Sequence, residues 1–218
     1  MDFNDLKINV PSVARYKSYT EKILEELKKA SDAKTVKKII LKFDKHDMKV
    51  MTDFTVIQIR YSIDTTNKEY KDANDKCDEI MPQFANLSQP IIKEILAKPF
   101  RADLEKEVGK YLIQKYELSI KCFDPKIIPE LVEESKLVSQ YHSIIGGAKI
   151  EYKGEIYNLT QLGKFMQSLD RNVRIEVAKL SENFWKENND QIGEIYNKLV
   201  HLRDTMAKKL GYKNYVEL

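Results

Sequence analysis

The sequence predicts an all-α protein, an elongated bundle of long antiparallel helices with one small β-hairpin near residues 148–158. Its 218 residues are 42% hydrophobic and 33% charged, with only 7 Gly and 6 Pro. That composition suits long amphipathic helices better than a sandwich or a barrel. Apolar residues recur at steps of three and four along much of the chain, which is the spacing of one helix face. Around Lys153-Gly154 the period changes to that of two short strands, which indicates a hairpin.

The first two helices follow an extended lead-in that reaches Pro11. The first helix is predicted to start at Pro11 or Ser12, and the second is capped by Ser31 and runs to about Tyr61. The apolar stripe of the second helix contains one carboxylate. We interpret this carboxylate as a residue at a bend, or one paired with a lysine or water, and the alternative is a functional buried acid. The stripe consists of Val36, Ile40, Phe43, Asp47, Val50, Phe54, Ile57 and Tyr61.

The third helix is predicted after a turn at residues 63–67, where Thr66 or Asn67 is the cap. It contains Pro82 and Pro90, either of which should kink or split it, and Pro99 ends it. Two further helices are predicted over residues 101 to about 120 and 124 to about 145. Asp124 and Pro125 fit the N-cap and first position of the second of these.

The last part of the chain begins at Gly146-Gly147, which end the preceding helix. The hairpin must lie on the helices, because an isolated hairpin is unstable in water. A short helix is predicted over residues 161–166, and a longer one capped by Ser168 or Asp170. A turn at residues 188–190 is predicted to separate the last two long helices. With no linker or repeat, we interpret residues 1–218 as one helical lobe: long helices over 1–146, the hairpin over 147–158 and closing helices over 159–218.

Several functional classes are disfavoured by composition. Lys and Arg number 37 against 34 for Asp and Glu, a net charge of +3 that is too small and too evenly spread to predict a nucleic-acid partner. No apolar run approaches the length that would predict a membrane span. Cys77 and Cys122 have the spacing of neither a zinc nor a redox motif, and the N-terminus does not resemble a signal peptide. We therefore expect a cytoplasmic protein with free thiols.

The histidines give no metal motif. His46, His142 and His201 do not belong to an H-E-x-x-H pair, nor is any of them preceded three residues earlier by Glu, so the two common helical metal motifs are absent. His201 shares a helix face with Glu194 and Asp204. A solvated polar face is the favoured interpretation there, with a metal site as the alternative. We predict no catalytic, cofactor-binding or metal-binding residue in this chain.

Two other sets of residues invite a functional interpretation. Glu130, Glu133 and Glu134 form an acidic helix start, which is favourable for the helix dipole and does not indicate an acid–base pair. Glycine-rich phosphate loops and the G-x-S-x-G nucleophile motif are absent. Five tyrosines lie near the hairpin in sequence, and we interpret them as amphipathic packing residues. A peptide-binding wall is the alternative for this set: Tyr111, Tyr116, Tyr141, Tyr152 and Tyr157.

Four blocks in order resemble a known family. The chain is similar, along nearly its whole length, to the N-terminal part of the oligoendopeptidase F branch of the thimet-oligopeptidase family of zinc peptidases. Family members often have Pro where this chain has Leu169. The blocks are residues 60–65 with 69–70 and 78–82, residues 152–155 with 158–162, residues 166–174, and residues 200–204 with 207–215.

The resemblance implies a function for a larger parent protein. Members are almost wholly helical, with two lobes around a channel that admits short peptides, and their zinc site, H-E-x-x-H with a further Glu, lies in a part that this chain lacks. This chain would be the non-catalytic lobe that walls the channel, inactive alone and without zinc. We expect short peptides and the catalytic lobe as partners, with self-association through exposed apolar surface. The alternative is a stand-alone helical interaction module without enzymatic activity.

Overall fold

The computed structural model describes residues 3–218 and confirms the all-α bundle with one antiparallel hairpin. Phe3–Asp5 forms a 3₁₀ turn, and the chain is then extended up to Ser12. The first two residues of the predicted lead-in lie outside the described part. Arg60 holds the lead-in in place, because its Nη2 donates to the carbonyl oxygens of Phe3 at 3.3 Å and Leu6 at 3.1 Å.

The first two helices are α1 (Val13–Lys29) and α2 (Ala33–Ile63). Ser12 caps α1, in agreement with the prediction that the helix begins there. The predicted cap of α2 is wrong by one residue. Asp32, and not Ser31, accepts a hydrogen bond from the Thr35 backbone N–H at 2.9 Å, since its carboxylate reaches the free amide groups of the first turn.

The third helix, α3 (Lys68–Leu96), begins after Asn67 as predicted and runs unbroken through Pro82 and Pro90. The prolines therefore do not split it. Each proline removes one helical hydrogen bond, at a cost of about 3 kcal/mol in an isolated helix. Phe84 and Ile91, which follow the two prolines, are buried in the core. This tertiary packing stabilises the helix and offsets the lost hydrogen bonds.

A glycine divides the next predicted helix. Instead of one helix over 101–120 the chain forms α4 (Arg101–Val108) and α5 (Lys110–Lys121). Gly109 between them has φ +87°, a conformation that side chains other than glycine rarely adopt. Asp124 then caps a 3₁₀ turn, Pro125–Ile127, before α6 (Ile128–Gly146) begins.

The hairpin consists of β1 (Ile150–Tyr152) and β2 (Glu155–Tyr157), with Ile150 opposite Tyr157. Lys153 and Gly154 have positive φ, 54° and 82°, as a two-residue type I′ turn requires. One face of the hairpin lies on the helices, as predicted, because Ile150 and Tyr152 are buried together with residues of the following helices.

The final part contains α7 (Leu159–Leu162), a 3₁₀ turn over Phe165–Gln167, and α8 (Arg171–Lys209), which Asp170 caps. The predicted short helix over 161–166 is therefore two separate turns. The predicted turn at 188–190 is also wrong, because α8 is one helix of 39 residues. Asn188 Nδ2 donates to the Phe184 carbonyl at 2.8 Å, so this side chain bonds within the helix and does not end it.

The core forms three clusters. The first contains residues from each of the helices α1 to α5, among them Leu27, Val36 and Ile91. The second lies between α1, α2 and α3 around Tyr16. The third packs the hairpin against α7 and α8. Within residues 3–218 no helix combines the length and the apolar character needed to cross a membrane.

Candidate functional site

A polar groove of about 350 Å³ opens between α2, α3 and α6. Its lining joins hydrogen-bonding side chains from all three helices, with one histidine and two acids. This makes it a candidate binding site. The polar lining residues include Gln58, Tyr61, Ser62, Asn74, Asp78, Glu134, Ser135, Ser139 and His142.

Three side chains form a hydrogen-bond network at the groove. Ser139 Oγ donates to Asp78 Oδ2 at 2.6 Å, and Asn74 Nδ2 donates to Ser139 Oγ at 3.0 Å and to Asp78 Oδ2 at 3.2 Å. Asn74 is buried, so its amide needs these partners. The network ties α3 to α6 across the groove.

Burial raises the pKa of Asp78 above its ordinary value, and the hydrogen bond from Ser139 opposes this change. The carboxyl group therefore keeps a proton to higher pH than an exposed aspartate does. The hydroxyl of Ser139 already donates to this carboxyl group. The arrangement fits a structural tie between α3 and α6.

Asp47, the carboxylate in the apolar stripe of α2, has a different partner from those predicted. Its Oδ1 accepts a hydrogen bond from the Tyr16 hydroxyl at 2.7 Å, and the same hydroxyl lies 2.8 Å from Ser88 Oγ. Tyr16 is fully buried, and burial raises the pKa of its hydroxyl well above the usual range. Asp47 therefore accepts the hydrogen bond of a buried tyrosine hydroxyl, and this bond links α2 to α1.

His46 lies beside this network and stacks on Tyr19, with ring centroids 3.6 Å apart and an interplanar angle of 12°. Burial lowers its pKa, which favours the neutral imidazole. It is a packing residue of the α1–α2 interface.

The other two histidines are separated from each other. His142 lines the groove, whereas the Nδ1 of His201 lies 2.8 Å from the Asn197 carbonyl oxygen on α8. Glu194 and Asp204, which share a helix face with His201, form ion pairs with lysines. Glu194 pairs with Lys198 at 2.7 Å, and Asp204 pairs with Lys208 at 2.6 Å. Among residues 3–218 no group of three His, Cys, Asp or Glu side chains could hold a metal ion. The described residues therefore do not fit a zinc site.

The acidic start of α6 holds the C-terminal half of α8. Glu134 accepts from Arg203 Nε at 2.6 Å, and Glu130 pairs with Lys209. Glu133 adds negative charge close to Lys198. These acids fix one helix against another, in addition to their effect at the helix N-terminus.

The five tyrosines do not form one wall. Tyr152 and Tyr157 contact the Phe165 ring in the hairpin cluster, with centroid distances of 5.0 and 5.2 Å. Tyr116 packs on the first core cluster, whereas Tyr111 is 80% exposed. Tyr141 is partly exposed beside His142. Sequence proximity grouped residues that the fold distributes over several surfaces.

Large apolar side chains are exposed on α8. Trp185, Tyr196 and Val200 are 41%, 69% and 46% exposed, and their spacing places them on one side of the helix. Leu169 and Val216 are almost fully exposed before and after α8. We call Trp185, Tyr196 and Val200 the α8 patch.

A second exposed apolar row follows α2 and was not recognised from the sequence. It lies opposite the buried stripe of the same helix. The signal was present, because the residues recur at steps of three, four and seven, which is again one helix face. We call this row the α2 stripe: Leu41, Met48, Thr52, Thr55, Ile59 and Ile63.

Comparison with known proteins agrees with the resemblance in the sequence. Residues 3–123 match the family model of the peptidase M3 N-terminal domain. Over 100% of its length the chain is 32% identical, with a TM-score of 0.93, to the structure of PZ peptidase A with inhibitor 2, of which it covers 39%. The same identity and TM-score relate it to a structure described as an oligoendopeptidase F from Bacillus anthracis str. Ames, of which it covers 40%.

The chain thus spans about two fifths of the length of these structural relatives. A search among curated proteins gave no match. The family model covers more than half of the chain, and the structural likeness extends over all of it. The chain therefore belongs to the peptidase M3 N-terminal domain family.

Proposed function

We propose that the chain is the non-catalytic N-terminal lobe of a zinc-dependent oligopeptidase that hydrolyses short peptides, and that it walls the peptide channel. The likeness to PZ peptidase A and to oligoendopeptidase F over the whole chain carries this proposal. Zinc belongs, in this proposal, to the part of the enzyme outside this chain. The described residues provide no ligand set for it, so we assign no step of peptide hydrolysis to them.

The α8 patch is the surface where the catalytic part of the enzyme would pack. Trp185 is a large aromatic that is 41% exposed, and Tyr196 is more exposed still. Exposed apolar patches of this kind mark interaction surfaces, and aromatic residues are enriched in them. Cytoplasmic localisation and the lack of nucleic-acid and membrane partners belong to the same proposal. Self-association of the chain through exposed apolar surface also remains a prediction.

Two measurements on the purified chain test the proposal. We expect no stoichiometric zinc by elemental mass spectrometry after incubation with zinc and desalting. We also expect no cleavage of a quenched fluorescent peptide, while a complete oligoendopeptidase F in the same assay cleaves it. Metal-dependent turnover by the pure 218-residue chain would refute the non-catalytic assignment.

A stand-alone interaction module is the second candidate, and the exposed α8 patch and α2 stripe favour it. The two candidate functions predict different coding sequences downstream of Leu218. A reading frame that continues beyond Leu218 into an H-E-x-x-H motif contradicts the module. A stop codon at that point, with no catalytic part encoded nearby, contradicts the peptidase lobe.

A further inference from the structure

The polar groove between α2, α3 and α6 contains one acid without a cationic partner. Asp78 is partly buried and forms no ion pair with a residue in the described part of the chain. Glu134, the other acid of the lining, is paired with Arg203 at 2.6 Å. A partly buried carboxylate without a cation is costly for the fold. Such a group in a cleft is characteristic of a binding site.

One of the two carboxylate oxygens of Asp78 is open to a ligand. Oδ2 accepts hydrogen bonds from Ser139 and Asn74, whereas Oδ1 accepts none from the residues that the structure describes. An ionised carboxyl group has about four acceptor positions, and the tie between α3 and α6 uses two of them. Asp78 can therefore keep its structural hydrogen bonds and accept another from a donor in the groove.

The charges around Asp78 favour a positively charged ligand. Asp75 and Glu79 act on Asp78 with like charge, and Lys136 acts on it with opposite charge. Lys136 is itself paired with Glu79 at 3.3 Å. Among the described residues no lysine or arginine lines the groove. The negative charge of the groove therefore attracts cations and repels anions.

The groove also offers polar groups for the rest of a ligand. The side chains of Gln58, Ser135 and His142 line it and form no hydrogen bond with a residue in the described part. The volume of about 350 Å³ lies within the range of about 300–1,000 Å³ for small-molecule sites. A metal ion does not fit, since no three His, Cys, Asp or Glu side chains of residues 3–218 could hold one. An organic cation with amide groups matches this lining better.

We propose that this groove binds the ammonium group of a short peptide at Asp78, with the peptide amides at Gln58, Ser135 and His142. The inference rests on the proposed function, which supplies short peptides, and it assigns a part of the channel wall that contacts them. An ammonium group carries several N–H donors. Its hydrogen bond to a carboxylate is about twice as strong as one between neutral groups. The cation also stabilises the ionised carboxylate, which burial alone disfavours.

Three small peptides test the chemistry of the site. Alanyl-alanine amide has a free N-terminal ammonium group, N-acetyl-alanyl-lysine amide has only a side-chain ammonium group, and N-acetyl-alanyl-alanine amide has neither. Each is titrated into the isotope-labelled chain, and the side-chain amide signals of Asn74 and Gln58 are followed by nuclear magnetic resonance.

We expect saturable shifts with at least one ammonium-bearing peptide, and the more tightly bound of the two identifies the ammonium group that the groove prefers. The neutral peptide should bind about tenfold or more weakly than that peptide. Equal binding of all three peptides, or no saturable shift with any of them, overturns the proposal.

Asp78→Asn tests the residue, because it keeps the shape of the side chain and removes its charge. We expect the ammonium-bearing peptide to bind about tenfold more weakly to this variant. Asp75→Asn is the matched control, since Asp75 lies on the same helix, pairs with Lys71 at 2.5 Å and is not part of the lining. It should change the affinity by less than about twofold. Equal losses in the two variants, or no loss in Asp78→Asn, contradict the site.

Ser135→Leu tests the location without changing any charge. Ser135 lines the groove, and the larger side chain fills space that the peptide needs, so we expect the saturable shifts to disappear. Retained binding places the peptide elsewhere and overturns the proposal. Circular dichroism confirms that the variants are folded. These measurements need neither zinc nor turnover, so their failure leaves the peptidase assignment standing, and a chain without a catalytic part can still show the binding.

Discussion

At the scale of single residues, buried polar side chains of this chain work in small hydrogen-bonded groups. Asp47 looks like a defect in the apolar stripe of α2, yet it accepts the hydroxyl proton of a tyrosine on α1. The sequence predicts the position of this carboxylate inside the bundle. Its partner could not be predicted, because Tyr16 is 31 residues away in the chain and reaches Asp47 only when α1 and α2 pack.

The Tyr16 hydroxyl provides the first residue-scale prediction. Tyr16→Phe removes one hydroxyl that contacts both Asp47 and Ser88 and leaves the half-buried carboxylate of Asp47 without its donor. We expect the free energy of unfolding in urea to fall by about 1–3 kcal/mol. Tyr196→Phe, at a 69% exposed tyrosine, serves as the control and should cause no measurable change. Equal effects of both changes would contradict the role of the network.

Asp78 provides a prediction on pH. Burial raises its pKa in the folded chain, so its contribution to stability is complete below the unfolded pKa and is lost as the pH rises through the folded pKa. Asp78→Asn removes this loss. Relative to the wild type, the variant should gain stability as the pH rises above the ordinary aspartate pKa of about 4, as measured by urea unfolding at several pH values.

The matching control for Asp78 is Asp103→Asn, at an exposed acid on α4 that pairs with Lys106. This variant measures the effect of removing one surface carboxylate on stability at each pH. A gain for Asp78→Asn with rising pH that is no larger than that of Asp103→Asn would contradict the raised pKa of Asp78.

At the scale of helices and strands, a glycine or a proline does not by itself end a helix. Gly109 divides α4 from α5 with φ +87°, whereas Gly193 lies inside α8 without interrupting it. Pro82 and Pro90 likewise lie within α3. The residue type indicates where a break can occur, and packing on either side decides whether it does.

The two glycines give a paired prediction, because an added Cβ meets no atom within 4 Å at either position. Gly109→Ala should destabilise the chain by about 1–3 kcal/mol, since alanine is strained at this backbone conformation. Gly193→Ala should stabilise it by about 0.5–1 kcal/mol, since alanine is the better helix former. Thermal unfolding of both variants measures the difference. A loss of stability in both would point to a steric effect in place of a backbone one.

At the scale of the whole molecule, α8 connects two regions of the bundle. Its N-terminal half carries Val177 into the hairpin cluster, and its C-terminal half is held on α6 by Arg203 and Lys209. The α8 patch lies between these contacts along the helix and remains exposed. Contacts near both ends therefore hold α8 in the bundle, and in the proposed function the catalytic part of the enzyme covers the patch between them.

Hydroxyl-radical footprinting tests whether the catalytic part of the enzyme covers the α8 patch. We join the chain to the remaining part of the Bacillus anthracis relative and label both forms with hydroxyl radicals. Trp185 and Tyr196 should be oxidised several-fold more slowly in the joined protein than in the separate chain, because burial limits access of the radical. Tyr111 on α5, which is 80% exposed, is the internal control. Unchanged labelling of Trp185 would exclude the patch as the contact surface.

Local signals in the sequence were enough to predict the fold class, the hairpin and the family. Helical spacing, the Lys153-Gly154 turn and four ordered blocks of residues are all contained in short stretches of chain. The absence of H-E-x-x-H and Glu-x-x-His around the three histidines is likewise a local feature of the sequence. The caps Asn67 and Asp170 were among those predicted, and the cap of α2 was wrong by one residue, whereas Asp124 caps a 3₁₀ turn and α6 begins only at Ile128.

Tertiary packing, in contrast, controls which helices continue, which polar groups pair and which apolar faces stay open. The unbroken α8, the Asp78–Ser139 bond and the exposed α2 stripe all depend on residues far apart in sequence. Helical spacing shows that a row of side chains shares a face, but the burial of that face depends on whether another element lies against it. Packing of whole helices, with burial energies larger than single-residue propensities, therefore decided these features.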